Sequence, residues 1–220
     1  MNINEIIKNN KKKTLVRVYM NKRLYELKDN LYDYVVIGEW HSIKKELDKY
    51  NIDDYKVETL CVNSAIDLLD IKDKHARIEY GAIIRDNVEI GNEVIVLMGA
   101  IINSGCIIGD KTMIDMGAVL GGNVIVKENC HIGANAVLAG TVEPYSEQRV
   151  VINENSFIGA GAVVLEGITI GKNCIIGANC VVNIDIPDNC VAVGVPVKII
   201  KRNHNIKFID EGLRKIDVKL

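Results

Sequence analysis

The chain contains 220 residues, of which 48% are hydrophobic and 25% are charged, and its formal net charge is −2. These proportions exclude an intrinsically disordered chain and suit one globular domain with a small satellite. Without an excess of basic residues, the sequence predicts no nucleic-acid partner. No apolar run approaches the ~18 residues of a membrane-spanning helix, so no membrane association is expected.

Two further features favour a cytoplasmic location. Residues 1–13 lack the continuous apolar stretch of a secretory signal peptide. The six cysteines form no C-x-x-C pair and no zinc-binding spacing with the four histidines. This pattern favours reduced thiols that serve as small apolar residues. The sequence therefore predicts a cytoplasmic protein without a metal site.

Residues 1–75 lack the repeat that follows them and are predicted to form a small α/β cap domain. The apolar run at 35–38 predicts a short buried strand. A helix is predicted to begin with Ser42 as its N-cap and to end near Tyr50. A second short helix is predicted directly after Ser64, which would be its cap.

A six-residue repeat dominates the rest of the chain. An aliphatic residue occupies every sixth position without a miss in the first run, and the pattern resumes after one break. Each aliphatic residue is followed, four positions later, by a small or modest side chain. The aliphatic positions are Ile78, Ile84, Ile90, Val96, Ile102, Ile108, Ile114, Leu120, Val126, Ile132 and Leu138, and then Ile152, Ile158, Val164, Ile170, Ile176 and Val182.

This period matches neither a helix nor an isolated amphipathic strand, but it fits a parallel β-helix. Each hexapeptide forms one short strand and one corner, and three of them make a triangular coil of about 18 residues. The aliphatic residue should point into the prism, and Asn and Gly should occupy corners with positive φ. We predict a mainly β fold with a β-helix domain over 76–200 and a C-terminal helical tail over 201–220.

The repeat loses its phase between Leu138 and Ile152. These residues are fourteen positions apart, two more than two hexapeptides, so a loop is predicted within 140–151. Loops that interrupt a solenoid usually gather on its functional face. We therefore expect this loop to border a functional site.

Several motifs resemble a known family. The closing stretch 192–198 is similar to that of the hexapeptide-repeat acyltransferases, which are left-handed parallel β-helices that form homotrimers and use acyl-CoA at sites between subunits. Within this superfamily the chain resembles the tetrahydrodipicolinate N-acyltransferases, and its N-terminal part resembles the acetyl-transferring branch. The motifs that carry the likeness are 13–14, 16–19, 36–40, 63–66, 76–86, 112–116, 129–133, 143–144, 155–160 and 164–167.

The resemblance implies a reaction of lysine and diaminopimelate biosynthesis, in which acetyl-CoA acetylates the amino group of ring-opened tetrahydrodipicolinate. It implies that Asp115 and Glu166 match two carboxylates used by the succinyl-transferring branch. One would orient or deprotonate the amine, and the other would aid proton transfer during ring opening. His131 is a further candidate base, because many members of the superfamily use a histidine. The alternative to a catalytic role is, for all three residues, a solvated or structural side chain.

A dicarboxylate substrate calls for arginine, whose planar guanidinium matches a carboxylate. Arg85, at an outward hexapeptide position, is the first candidate, ahead of Arg77 and Arg149. Each is otherwise a surface ion-pair partner. The family resemblance alone adds Asn63 and Ser64 to the substrate-binding set.

The same resemblance places the co-substrate acetyl-CoA in a groove between two coils. Backbone near small residues would pair with the pantetheine amides, a closing turn would lie near the adenine, and a basic residue would neutralise the phosphates. The residues expected in these three roles are Gly161, Ala162 and Ala178, then Gly194 and Pro196, and finally Lys198.

Three alternatives stay open at this point. Succinyl transfer to the same acceptor is the first, since the sequence carries no signal for the volume of the acyl pocket. The second is O- or N-acetylation of a sugar or an amino acid on the same fold, and the third is a structural solenoid without activity. A zinc hydratase of this fold is disfavoured, because it needs three histidine ligands and His131 stands nearly alone.

Overall fold

The computed structural model describes residues 3–21, 31–32, 34–141 and 148–202. The chain divides into two compact units, one over Glu5–Asp67 and one from Leu68 onward that includes the first residues of the chain. The larger unit is a parallel β-solenoid built from hexapeptides, which confirms the predicted mainly β fold.

The smaller unit contains a four-stranded antiparallel sheet in the order β2-β3-β1-β4. Val16, Val18 and Val36 of this sheet are buried against Ile43 and Leu47, which lie one turn apart on the second helix. The elements up to this point are α1 Ile3–Asn9, β1 Leu15–Met20, β2 Leu31–Tyr32, β3 Val35–Glu39, α2 Trp40–Lys49 and β4 Tyr55–Thr59.

The prediction for the N-cap of α2 is wrong by three residues. The helix begins at Trp40 and its N-cap is Glu39, whose carboxylate accepts a hydrogen bond from the backbone N–H of Ser42 at 3.0 Å. Backbone N–H groups of His41 and Ser42 lower the pKa of the Glu39 carboxyl, because they stabilise its charged form. The predicted strand at 35–38 is confirmed as β3.

The short helix predicted after Ser64 is absent. Ser64 instead forms an antiparallel bridge with Lys13, and its backbone N–H donates to the Lys13 carbonyl at 2.8 Å. The Ser64 hydroxyl donates to the carbonyl of Ile66 at 3.0 Å rather than to a free helical amide. A hydrogen bond from a serine hydroxyl to the nearby backbone stabilises a turn, and this turn competes with helix formation.

Three parallel sheets form the faces of the prism, and successive strands pass from one face to the next. Face 1 contains β5 Ala76–Ile78, β8 Val94–Val96, β11 Met113–Ile114, β14 His131–Ile132, β17 Phe157–Ile158, β20 Ile175–Ile176 and β22 Cys190–Val193. Face 2 contains β6 Ile83–Ile84, β9 Ile101–Ile102, β12 Val119–Leu120, β15 Val137–Leu138, β18 Val163–Val164 and β21 Val181–Val182. Face 3 contains β7 Glu89–Ile90, β10 Ile107–Ile108, β13 Ile125–Val126, β16 Val151–Ile152 and β19 Thr169–Ile170.

The three edges between these faces are named by the faces they join. Corner 1–2 consists of 97–99, 115–117, 133–135, 159–161 and 177–179. Corner 2–3 consists of 85–87, 103–105, 121–123, the described residues 139–141 and 148–149, and 165–167. Corner 3–1 consists of 91–93, 109–111, 127–129, 153–155 and 171–173.

The interior of the prism is apolar, as the repeat predicts. In the two-residue strands from β10 to β21, the second residue is buried and the first faces outward and is half-buried. Small side chains such as Ala118, Ala136 and Cys130 are completely buried where the chain turns. Asn123, Asn129 and other asparagines adopt the predicted positive φ at the corners.

Buried hydroxyls and thiols line the inside of corner 3–1. The Thr112 hydroxyl donates to the carbonyl of Lys127 at 2.7 Å and accepts the backbone N–H of Cys130 at 3.1 Å. Ser156 repeats this arrangement two coils later with Gly171 and Cys174. Each polar side chain is thereby satisfied by the backbone of the next coil.

Five of the six cysteines are buried, and Cys61 is half-buried. Burial raises the pKa of the Cys106 and Cys130 thiols to about 12, because a thiolate would lose its hydration there. Their role as small apolar residues agrees with the expectation from the sequence.

The break in the repeat is longer than the prediction assumes. Val151 of β16 pairs with Ile125 of β13, so β16 lies on the face that follows β15 directly. A step that takes six residues elsewhere therefore takes fourteen here, instead of two hexapeptides plus two residues. Residues 142–147 of the predicted loop lie outside the described residues.

The prism ends with an antiparallel strand. β23 spans Lys198–Arg202 and pairs with β22, so the first two residues of the predicted helical tail belong to a strand. The rest of that tail, with the helical spacing predicted there, lies outside the described residues.

Candidate functional site

The structure brings Asp115 and His131 together at corner 1–2. Asp115 directly follows β11, and His131 is the outward residue of β14, the next strand on face 1. Asp115 Oδ2 lies 3.5 Å from His131 Nε2, and the two side chains are 20% and 23% exposed. The ladder fixes this arrangement, because the Asp115 N–H donates to the carbonyl of Ile132 at 2.9 Å.

The two carboxylate oxygens of Asp115 have different partners. Oδ1 accepts the backbone N–H of Met116 at 2.7 Å, which holds the turn, and Oδ2 faces the imidazole. The His131 ring packs against Phe157 with their centroids 4.9 Å apart. A carboxylate beside an imidazole nitrogen orients the ring and stabilises its protonated form, so the pair is suited to accept a proton.

Glu166 lies elsewhere on the prism. It is exposed on corner 2–3, where it follows β18 of face 2. β18 is two coils beyond β12, the strand that follows Asp115 along the chain. Within one chain the structure therefore does not bring Glu166 to Asp115, because they occupy opposite edges of face 2.

Arg85 lies on the same edge as Glu166. It follows β6, and its Nη1 donates to Asn103 Oδ1, one coil further along, at 3.3 Å. The same Asn103 oxygen accepts the backbone N–H of Ser104 at 2.9 Å. Four coils separate Arg85 from Glu166, since β9, β12 and β15 lie between β6 and β18.

Asn63 and Ser64 belong to the smaller unit and have local hydrogen bonds there. Asn63 has φ +50°, and its backbone N–H donates to the Thr14 hydroxyl at 3.2 Å. Ser64 holds its own turn through Ile66, as described above. Both residues shape the loop that carries them.

The residues expected to bind CoA follow corner 1–2. Gly161 and Ala178 occupy successive turns of this corner, and Gly194 continues their column beyond β22. Ala162 differs, because its side chain is completely buried inside the prism. The closing residues Pro196 and Lys198 are exposed.

Sequence reasoning treated Asp115 and His131 as separate candidates and missed their contact. The signal was present, because an 18-residue coil places His131 beside Met113, two residues before Asp115. Corner 1–2 therefore carries Asp115 and the small residues of the expected CoA groove, with His131 on the adjoining strand of face 1, and corner 2–3 carries Arg85 and Glu166.

Sequence comparisons match a known family to each of the two parts of the chain. The family described as "Tetrahydrodipicolinate succinyltransferase N-terminal" matches residues 1–71. The family described as "Bacterial transferase hexapeptide (six repeats)" matches residues 105–140 and 149–183.

Curated relatives match over nearly the whole length. A 2,3,4,5-tetrahydropyridine-2,6-dicarboxylate N-acetyltransferase of Thermosipho africanus is 52% identical, covering 98% of this chain and 100% of that protein. An enzyme of the same name from Alkaliphilus metalliredigens is 46% identical, covering 91% of each chain. The chain belongs to the tetrahydropyridine-dicarboxylate N-acetyltransferase family.

Solved structures of other acetyltransferases share the solenoid. PerB of Caulobacter crescentus, in complex with CoA and GDP-perosamine, is 37% identical with a TM-score of 0.54, covering 58% of each chain. The acetyltransferase domain of PglB from Neisseria gonorrhoeae, in complex with acetyl coenzyme A, is 26% identical with a TM-score of 0.53, covering 57% of this chain and 58% of that one. The tetrahydropyridine-dicarboxylate N-acetyltransferase family is thus part of the left-handed β-helix acyltransferases that the sequence resembles.

Two further observations concern the described parts of the chain. Within these ranges, no three His, Cys, Asp or Glu residues are grouped so that they would hold a metal ion. No helix there is long and apolar enough to cross a membrane.

Proposed function

We propose that this protein transfers the acetyl group of acetyl-CoA to the amino group of ring-opened tetrahydrodipicolinate. The products are N-acetyl-2-amino-6-oxopimelate and free CoA, in the diaminopimelate route to lysine. The observation that carries this proposal is the identity of 52% over nearly the full length of a relative with this activity in its name. The position of Asp115 beside His131 supports it, because amide formation from an ammonium group needs a proton acceptor.

The chemistry divides between the two corners. Water first adds to the cyclic imine and opens the ring, and Glu166 aids the proton transfers of this step. The Asp115–His131 pair then accepts a proton from the amine, whose nitrogen attacks the thioester carbonyl carbon. The C–S bond breaks, and the CoA sulfur leaves with a proton. Corner 1–2 carries acetyl-CoA, with the backbone at Gly161 and Ala178 facing the pantetheine.

This division requires more than one copy of the chain, and we place the contact between copies on face 2. All its outward residues are aliphatic, and Ile83 and Ile101 are 47% and 43% exposed. Face 2 also separates corner 1–2 from corner 2–3, so packing three copies around it sets Asp115 of one copy near Glu166 of the next. A cytoplasmic homotrimer is therefore proposed. The outward residues are Ile83, Ile101, Val119, Val137, Val163 and Val181.

A charge at the centre of this face is expected to dissociate the trimer. Val137→Asp places three carboxylates near one axis in an apolar contact, which disfavours association. The wild-type protein should have three times the chain mass of 24.4 kDa by light scattering, and the variant should have the mass of one chain without acetyl transfer.

Ile125→Asp is the matched control, because Ile125 is the half-buried outward residue of β13 on face 3. It should remain trimeric and active. The reverse result, with Ile125→Asp dissociated and Val137→Asp intact, assigns the contact to face 3 and contradicts the proposal.

The reaction itself is tested by incubating the trimer with tetrahydrodipicolinate and either acetyl-CoA or succinyl-CoA, with the products identified by mass spectrometry. An acetylated aminooxopimelate is expected. Selective use of succinyl-CoA would contradict acetyl transfer. The donor would then be the one that the description of the N-terminal family names. Binding of acetyl-CoA without any turnover would contradict the proposed acceptor.

One observation favours a second acceptor for that comparison. The solved structures at 37% identity contain GDP-perosamine, a nucleotide-linked amino sugar. An amino-sugar nucleotide therefore belongs in the same assay as the competing acceptor, and its preferential acetylation would replace the present proposal.

A further inference from the structure

Corner 2–3 carries two half-buried arginines, Arg85 and Arg149. Neither has a carboxylate within ion-pair distance among the residues that the structure describes. Arg17, in contrast, lies 2.8 Å from Glu58. A half-buried guanidinium without a counterion is suited to an anionic ligand, because it has donors to offer and is partly desolvated already.

The register of the coils fixes the spacing of these two arginines. Arg85 follows β6, and Arg149 precedes β16, which pairs with β13 three coils above the level of Arg85. At ~4.8 Å for each coil, their backbones are roughly 14 Å apart along the prism. Two arginine side chains and an extended seven-carbon dicarboxylate together span such a separation.

Three glycines lie between them along this corner. Gly121, Gly122 and Gly140, named here the glycine notch, occupy two successive turns of corner 2–3. A Cβ on Gly121 would overlap the backbone nitrogen of Gly140, so this close packing admits no larger residue. Along the corner, the glycine notch lies between the turn that carries Asn103 and the turn that carries Glu166.

Two buried polar atoms lie on the same corner. The Ser104 hydroxyl and Asn123 Oδ1 belong to residues 0% and 7% exposed, and neither atom has a hydrogen-bond partner among the described residues. The positive charge of Arg149 also acts at this corner. Burial raises the pKa of the Cys106 thiol to about 12, and the charge of Arg149 partly offsets that rise. Unpaired buried polar groups are costly, and a bound water or ligand can supply the missing partner.

We propose that Arg149 is a second carboxylate anchor for the acceptor, acting with Arg85 across the glycine notch. This proposal rests on the proposed function and extends it to specificity. The acceptor carries a carboxylate at each end of a seven-carbon chain. One guanidinium at each end therefore gives a dicarboxylate a higher binding affinity than any monocarboxylate of equal length. Asn103 is a positioning residue, because its amide oxygen holds the Arg85 guanidinium.

The test compares pimelate with heptanoate, two seven-carbon acids that differ by one carboxylate. Binding is measured by calorimetry in the presence of CoA, for the wild-type trimer and for Arg149→Gln. Loss of one charged, hydrogen-bonded pair should weaken pimelate binding about 10- to 100-fold and leave heptanoate binding unchanged. The KM for tetrahydrodipicolinate should rise by the same factor, with the KM for acetyl-CoA unaltered.

Lys127→Gln is the matched control, since it removes one exposed positive charge from corner 3–1 of the same solenoid. It should leave both affinities unchanged, which excludes a long-range charge effect. Circular dichroism and light scattering verify that Arg149→Gln folds and assembles like the wild type.

The outcomes separate this proposal from the proposed function. Wild-type turnover of tetrahydrodipicolinate with equal KM in Arg149→Gln overturns the anchor and leaves the reaction standing. A wild-type protein that acetylates no such acceptor yet prefers pimelate through Arg149 keeps the dicarboxylate site and overturns the reaction. Absence of any preference for pimelate in the wild type, or equal losses for both acids in Arg149→Gln, contradicts the two-anchor site.

Discussion

Asp115→Asn is expected to lower kcat by about 10²- to 10⁴-fold, the usual contribution of a general base. The substitution is isosteric, and the amide oxygen still accepts the Met116 N–H that holds the turn. It removes only the negative charge that faces His131 Nε2 at 3.5 Å. The imidazole then loses the group that stabilises its protonated form. Steady-state kinetics with the purified variant measure the effect.

Asp110→Asn is the control for this prediction. Asp110 lies on corner 3–1, where its Oδ1 accepts the backbone N–H of Asn92 at 2.8 Å, so it holds a turn without an imidazole beside it. Its kcat should remain within about 2-fold of the wild type, as expected for a surface substitution. Unaltered kcat in Asp115→Asn would show that the Asp115–His131 pair is not the proton acceptor.

Gly109→Ala is expected to destabilise the solenoid by about 3 kcal/mol, the upper end of the ordinary cost of overpacking. A Cβ on Gly109 would lie 2.5 Å from the backbone nitrogen of Glu128 and 2.6 Å from the carbonyl carbon of Lys127. These atoms belong to the next coil and to its ladder, so they cannot move without lengthening hydrogen bonds. Denaturant unfolding, followed by circular dichroism, measures the loss.

Gly81→Asn distinguishes this clash from the loss of glycine as such. Gly81 has φ +87°, and the atom nearest to its Cβ position is 4.0 Å away, so space is available for a side chain. Asparagine tolerates positive φ better than other residues, and its cost should be well below that of Gly109→Ala. Equal losses in the two variants would contradict the role assigned to the close coil contact.

The solenoid was predictable from sequence because its geometry imposes a period. Each aliphatic residue, such as Ile114 or Ile132, has to point inward at every strand, so eleven consecutive matches specify the coil. The length of the break was not predictable in the same way. Fourteen residues between Leu138 and Ile152 fit either one step or two, and only the pairing of Val151 with Ile125 decides between them.

The smaller unit was harder to predict, because its sheet is held by pairings between distant segments. The sequence marks β3 by its apolar run, whereas β1 and β4 are recognised only once Val16 is opposite Thr59. The cap of α2 was misassigned since Ser42 is a common N-cap residue, but the carboxylate of Glu39 lies closer to the free amides.

The candidate site was predictable residue by residue but not as an arrangement. Asp115 and Glu166 came from the family resemblance, which carries no information on which edge of the prism each occupies. In the sequence, Arg85 ranks ahead of Arg149 because of its outward hexapeptide position. Counting coils through the break sets both arginines along one edge.

The sealed thiols inside the prism bear on the route of the acyl group. Burial raises the pKa of the Cys106 and Cys130 thiols to about 12, so both thiols are protonated at neutral pH. Neither sulfur is a competent nucleophile toward a thioester, so neither forms an S-acetyl intermediate. Direct transfer of the acyl group between a donor and an acceptor that are bound together is therefore the expected route, in place of an S-acetyl intermediate on either of these two cysteines.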